Sequence, residues 1–247
     1  MNKKIIKLLL CVAGSSILIA CAPQNKNSMD SKINQEISND IELSSREDFV
    51  SKDEKKIAYD KKYLKLVNRT QTLDSSYEPK DLVEVNIPFS GSSDSKRMES
   101  VAARAIEDMF KSAREDGIKL IGRSGYRSYN TQASNYKNKV AKLGKVQADR
   151  FVAPPGASEH QTGLAMDIIS SEFSKLHTDF QYTESYNWLR ENCAKFGFIQ
   201  SYMKGKSDIT GFNFEPWHFR YVGIEHAKTI MDNNLSLEEY LNQYVDI

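Results

Sequence analysis

The spacing of apolar positions changes repeatedly along this chain, and each change marks an element. In 98–116, MESVAARAIEDMFKSARED, the residues Val101, Ala105, Ile106, Met109, Phe110 and Ala113 recur at helical spacing, and Gly117 follows as a left-handed stop. The pattern predicts a helix over 98–116. Next, IKLIGRSGYRS reads as a strand running into a loop at Arg127, and YNTQASNYKNKVAKL reads as a second helix ending at Gly144. A polar segment and the Pro154-Pro155-Gly156 turn then lead to 164–169, an apolar run broken only by Asp167, which predicts a central strand. ESYNWLRENCAKFG predicts a helix closed by Gly197, while FIQSYM and PWHFRYV predict strands. Two terminal helices follow, the last opened by Ser236 with Glu239 three residues on, the pattern of a capping box. Upstream, YLKLVNRT and DLVEVNIPF alternate as short strands or extended arms on a domain edge do. No internal repeat interrupts this order, so the body is a mixed α+β domain beginning near residue 62.

The first 61 residues follow different rules. MNKKIIKLLLCVAGSSILIAC sets Lys3, Lys4 and Lys7 before an apolar stretch over 8–20, the layout of an export signal. Its end, Leu18-Ile19-Ala20-Cys21, resembles the lipobox of bacterial lipoproteins, in which cleavage precedes a cysteine that receives lipid. The alternative is an uncleaved N-terminal anchor helix, although the stretch falls short of the roughly 18 apolar residues of a span. Either reading puts the remainder outside the cytoplasm. Residues 22–61 are rich in Asn, Ser, Lys, Asp and Glu with little to bury, and are expected to be a solvated, disordered tether.

Charge and cysteines narrow the function. The 247 residues suffice for one domain with a full core plus a tail. With 34 basic and 33 acidic residues the formal net charge is +1, which points to no nucleic-acid partner and to no broad electrostatic attraction to a membrane surface. Cys11 lies in the signal and Cys21 would be the lipid acceptor, so Cys193 alone remains in the body. That excludes an internal disulfide and a cysteine-based zinc site. Cys193, beside Trp188, Leu189 and Phe196, reads as a small core residue.

Any metal must then be held by His and carboxylate, and the chain has four histidines. Zinc in a hydrolase takes three protein ligands and leaves a fourth position for water. The segment SEHQTGLAMDIIS carries His160 and Asp167, and EPWH carries Glu215 and His218 three apart. If the two segments meet, His160, Asp167 and His218 complete an open tetrahedral site, and Glu215 is left over as a base for water whose pKa the ion lowers to about 7. Asp167 supports this, because an unpaired carboxylate in an apolar run costs several kcal/mol that a cation would offset. Taken singly, His160 could be a loop histidine and Asp167 could pair with Arg123 or Arg127. His177 and His226 fit no motif and read as surface or packing residues.

These same residues carry a family resemblance. Ser158-x-His160-x-x-Gly163-x-Ala165-x-Asp167, followed by Glu215-x-x-His218, resembles the signature of the zinc D-alanyl-D-alanine carboxypeptidases of bacterial cell walls, the VanY-like branch of the LAS metallopeptidases. It extends over roughly 62–247 through SGYRSYNTQ and EPWHFRYVG. The resemblance implies a small central antiparallel sheet flanked by helices and carrying one Zn2+ per chain on His160, Asp167 and His218, with Glu215 as catalytic base. It further implies that Arg127, Gln132 and Ser158 line the substrate cleft; Arg127 offers a planar fork of donors for a carboxylate or scissile carbonyl, its alternative being a structural ion pair. Tyr202 could donate its hydroxyl to the substrate and Trp217 could wall the cleft, although either ring suits a core equally well. One departure stands out: where many relatives carry a basic residue followed by tyrosine and proline, this chain reads Ser201-Tyr202-Met203.

The expected protein is therefore a monomeric, secreted, lipid-anchored hydrolase facing the cell wall, with a signal peptide over 1–21, a tether over 22–61 and a catalytic domain over 62–247. Its expected reaction is removal of the terminal D-alanine from peptidoglycan stem peptides, as a D,D- or an L,D-carboxypeptidase. The competing expectations are an endopeptidase cutting cross-bridges and a non-catalytic wall-binding lipoprotein; the intact Glu215 argues against the second.

Overall fold

A computed structural model describes residues 57–58, 60 and 62–246 of the chain. The segments expected to form the signal peptide, the expected lipid acceptor Cys21 and most of the expected tether lie outside the described residues. In chain order the elements are β1 (Ile57–Ala58), β2 (Leu82–Glu84), β3 (Arg97–Glu99), α1 (Ser100–Glu115), β4 (Leu120–Ser124), α2 (Tyr129–Leu143), α3 (Lys145–Phe151), β5 (Ala165–Ser170), α4 (Glu184–Asn192), β6 (Phe198–Gln200), α5 (Ser207–Thr210), β7 (His218–Tyr221), α6 (Ile224–Asp232), α7 (Leu237–Tyr244) and β8 (Val245–Asp246). The fold is α+β, as expected.

Four strands in the order β4-β5-β7-β6, antiparallel throughout, form the central sheet. Every residue of β5 is buried, which explains why AMDIIS reads as an apolar run and not as an alternating strand. Helix α1 covers the sheet with Ala102, Ala103, Ile106, Met109, Phe110 and Ala113, which pack with Met166, Ile168, Phe198 and Phe219. A second core joins α6 and α7 to Leu64, Ile199 and Val222. The expected capping box is present: Ser236 N–H donates to Glu239 Oε2 at 2.7 Å, and Glu239 N–H donates to Ser236 Oγ at 3.2 Å.

Four local readings need correction. Helix α1 begins at Ser100 and not at Met98, because Arg97–Glu99 pairs as a strand with Leu82–Glu84 and holds Met98 opposite Val83. YLKLVNRT forms turns and no strand: the Asn68 side chain accepts from the backbone N–H of Thr70 and Gln71 at 3.0 Å each, an Asx turn that competes with sheet pairing. FIQSYM is a strand only over Phe198–Gln200. The polar segment after Gly144 is helix α3, whose Ala148 alone is buried, so periodicity had almost nothing to register. At the other end, β1 pairs in parallel with β8.

Candidate active site

The three expected metal ligands come from three different elements. His160 sits in a 3-10 turn over Glu159–Thr162, Asp167 is in the middle of β5, and His218 opens β7. Pairing does the rest: in the β5–β7 register Asp167 stands directly opposite His218, and in the β4–β5 register it stands opposite Ser124. Gly163 closes the turn at φ +70°, where a side chain would be strained and its Cβ would lie 2.9 Å from Leu82 Cδ2. That glycine lets the turn deliver His160 to the strand's carboxylate.

All three side chains are buried, and one donor atom from each lies within 4.8 Å of the other two. Asp167 Oδ1 is 3.4 Å from His160 Nε2 and 3.1 Å from His218 Nδ1. A tetrahedral zinc with bonds of about 2.0–2.1 Å sets its ligands roughly 3.3 Å apart, so this donor set and spacing fit the ion. The other ring nitrogens are engaged as ligating histidines require. Nδ1 of His160 donates to the Gly125 carbonyl at 2.8 Å, which leaves Nε2 toward Asp167; Nε2 of His218 donates to Glu159 Oε2 at 2.9 Å, which leaves Nδ1 toward Asp167.

Glu159 and Arg220 are the site residues that sequence reasoning missed. Glu159 accepts from His218, from Ser201 Oγ at 2.7 Å and from Arg220 Nη1 at 3.2 Å. Arg220 is fully buried and also donates to the carbonyls of Tyr63, Lys65 and Tyr221. The sequence carries a signal for it: a charged residue inside the apolar strand HFRY needs a buried partner, as Asp167 does in β5. The departure at Ser201 acquires a meaning here, since its hydroxyl reaches Glu159 while Arg220 supplies the positive charge.

The charges of this cluster are strongly coupled. Burial would raise Glu159, but Arg220 and His218 outweigh it and hold the carboxyl at about 2. Burial opposes ionisation of Asp167 too, and His160 and His218 overcome it, keeping Asp167 well below the usual carboxylate range. Burial lowers His160, with Arg127 adding to the effect, and also disfavours the charged form of His218, where Asp167 and Glu159 reverse the sign and raise the imidazole to about 10. In the metal-free protein, then, a proton on His218 takes the positive charge that a cation would bring.

These groups open into a cleft of about 870 Å³, lined also by Arg127, Gln132, Ser158, Tyr202, Glu215 and Trp217. Sequence reasoning assigned all six to the site, and the fold brings them together. Glu215 keeps some exposed surface but its carboxyl is enclosed; burial, with Asp167 and Glu159, pushes it up to about 7 against the opposing pull of His218 and Arg127. Arg127 donates to Gln132 Oε1 at 2.8 Å and to Ser124 Oγ at 2.9 Å, and lies 3.9 Å from Asp167 Oδ2. Gln132 is itself pinned by donating to the Ala153 carbonyl at 2.6 Å, so it aims the guanidinium as well as lining the wall. Tyr202 stacks on the His218 ring at 4.7 Å, with its phenol raised well above its ordinary range by burial. The Trp217 carbonyl accepts from Ile168 N–H at 2.8 Å, which ties the EPWH segment to β5. His177 is exposed at the cleft rim and His226 bonds Tyr240, so both stand apart from the ligand set.

Residues 95–224 match the family model described as VanY, D-alanyl-D-alanine carboxypeptidase. The D-alanyl-D-alanine carboxypeptidase of Enterococcus faecalis (strain ATCC 700802 / V583) is 39% identical over 186 residues; the match takes 72% of this chain, which spans 65% of that relative's length. Among solved structures, the LdcB LD-carboxypeptidase is 44% identical with a TM-score of 0.69, covering 73% of this chain and 86% of its own. A mutant of the vancomycin-resistance D,D-pentapeptidase VanY from a VanB-type cassette, in complex with Zn(II), is 38% identical with a TM-score of 0.62, covering 73% of this chain and 99% of its own. With the zinc-compatible trio buried at the base of an open cleft, the chain belongs to the VanY D-alanyl-D-alanine carboxypeptidase family of zinc peptidases.

Proposed function

We propose that this protein removes the C-terminal D-alanine from peptidoglycan stem peptides, acting as a D,D- or L,D-carboxypeptidase in cell-wall remodelling. The observation that carries the proposal is one cleft holding an incomplete ligand set, His160, Asp167 and His218, together with an enclosed carboxyl at Glu215 held at about 7. Zinc bound by that trio supplies Lewis acidity and lowers the pKa of water to about 7. Glu215, its carboxyl enclosed in the same cleft, takes a proton from the attacking water and returns it to the leaving amine. Arg127, aimed by Gln132 and Ser124, presents donors to the scissile carbonyl or the terminal carboxylate. Tyr202 stays protonated throughout the working range and steadies the His218 ring by stacking. Ser158 and Trp217 complete the walls.

In this reading residues 1–21 are a signal peptide, Cys21 carries the lipid, 22–61 tether the enzyme and 62–247 form the catalytic domain, a monomer facing the wall from the outer side of the membrane. Similarity to the LdcB LD-carboxypeptidase and to the VanY D,D-pentapeptidase supports both substrate lengths. The test is incubation of the full chain with tetra- and pentapeptide muropeptides, followed by mass spectrometry. Loss of one alanine, stopped by chelation and restored by zinc, is expected, and Glu215→Ala should retain zinc while losing turnover. Full activity in Glu215→Ala refutes the mechanism; release of internal fragments instead of alanine makes the protein an endopeptidase.

A further inference from the structure

A second groove, of about 660 Å³, adjoins the zinc cleft and meets it at Arg127, Asn135 and Leu176, which line both. Its other walls include Arg97, Arg123 and the hydroxyl-bearing Ser92, Ser95 and Ser128. Unlike Arg69, Arg127 and Arg220, neither Arg97 nor Arg123 has a carboxylate partner among the described residues. Each guanidinium is instead held by one backbone bond: Arg97 Nε donates to the Asp94 carbonyl at 3.4 Å with the head over the Tyr126 ring, and Arg123 donates to the Ser90 carbonyl. Most of their donors are left free, since an arginine offers five. Asp94 is the single acidic residue in the lining and is exposed.

The groove is rigidly framed. Loop residues 90–97 are bound to the end of β4 by Ser90 N–H to the Gly122 carbonyl at 2.9 Å, Gly125 N–H to Ser95 at 2.7 Å and Tyr126 N–H to Arg97 at 2.7 Å. At Gly91 a Cβ would sit 2.2 Å from the Arg123 carbonyl oxygen, so only glycine permits this approach. The β4–β5 register shifts between Gly122 and Ser124, and that irregularity takes Arg123 out of the ladder; bulges beside active sites often re-aim a side chain in this way. Ser128, the N-cap of the 15-residue α2, and Thr131 in its first turn add the positive end of a helix to the same wall.

We propose that this groove binds a carboxylate of the substrate, carried by the stem peptide on the N-terminal side of the cut alanine, and thereby selects acidic over amidated stems. The proposal rests on the carboxypeptidase reading for its direction. The terminal carboxylate leaves with the released alanine and belongs in the zinc cleft; with Arg127 on the scissile carbonyl, the groove that continues past Arg127 takes an anion on the N-terminal side of the cut. Two carboxylates qualify: that of the acidic second residue, and that of the third-residue side chain where this is diaminopimelate and not lysine.

Three peptides identify the source: one with both carboxylates free, one amidated at the second residue, and one with lysine at the third. Alanine release gives kcat/KM, and calorimetry on the zinc-loaded Glu215→Ala protein, which binds without cutting, gives affinity independently of turnover. At low salt, the preferred acid should exceed its neutral counterpart by about tenfold in both readouts, a ratio worth about 1.4 kcal/mol. The ratio should shrink at about 0.5 M salt and approach one in the Arg97→Gln/Arg123→Gln double variant, whose folding is checked by its melting curve. Equal values for all three peptides in the wild type overturn the proposal without recourse to any variant, as does a preference that survives in the folded double variant. Should no peptide be hydrolysed, the carboxypeptidase reading fails by itself. Acid-selective binding abolished by the double substitution would still support the groove, whereas unselective or absent binding would overturn it.

Discussion

Replacing Glu159 by Gln conserves shape and removes the charge on which three buried groups converge. The carboxylate accepts from His218 at 2.9 Å, Ser201 at 2.7 Å and Arg220 at 3.2 Å. A carboxyl held at about 2 instead of 4.5 contributes on the order of 3 kcal/mol at neutral pH. Stripping one partner from a buried ion pair independently suggests about 3–5 kcal/mol. Arg220 keeps its bonds to backbone carbonyls, so the lower end of that range is expected. The domain should stay folded, since typical stabilities are about 5–15 kcal/mol. A second effect is separable: His218 loses the carboxylate that orients its ring, which should weaken zinc binding about 10–100-fold. Urea unfolding of the zinc-free protein measures the first effect, and competition with a fluorescent chelator measures the second. Because the folded-state pKa is depressed, the charge contribution is complete above about 4.5 and fades as the pH falls toward 2. The gap between wild type and variant should therefore narrow in acid. An unchanged urea midpoint together with unchanged zinc affinity would refute the argument, and a gap that stays constant down to pH 2 would assign the loss to packing.

Zinc binding at pH 7 should release close to one proton from His218, because that imidazole is raised to about 10 in the metal-free protein and must be neutral to ligate; calorimetric enthalpies that are identical in buffers of different ionisation heat would contradict this. Its sign is opposite to that of Glu159: the raised His218 stabilises the zinc-free fold fully below pH 6.5 and loses that contribution as the pH rises through 10. Gly163→Ala should cost about 1–3 kcal/mol, since φ is +70° and the added methyl meets Leu82 and the Glu99 backbone; an unaltered urea midpoint would show that the turn can relax. Cys193, fully buried and pushed up to about 12 by burial, should resist alkylation in the native protein and react on unfolding, so rapid native labelling would place the thiol elsewhere.

Legibility in the sequence followed the physical range of each signal. The stop of helix α2 at Gly144 is legible because a glycine ends a helix within one turn. The capping box at Ser236 was readable for the same reason. Helix α3 leaves no periodic trace because it buries one alanine, and Met98 carries no local mark of a strand because its partner, Val83, lies across a loop. Asp167 stood out as a charge in an apolar run, yet Arg220, an equally anomalous charge in β7, went unread without its partner in view.

Residue types and spacing by themselves determined the α+β class, the cysteine arithmetic that restricts any metal to His and carboxylate, and the two segments carrying His160, Asp167, Glu215 and His218. They could not determine that Asp167 and His218 face each other, because strand register is a pairing between residues 51 apart in the chain. Nor could they link Glu159 to His218 and Arg220, or set the second groove's arginines against the cleft, since Coulomb and hydrogen-bond energies depend on distances in space that only folding supplies.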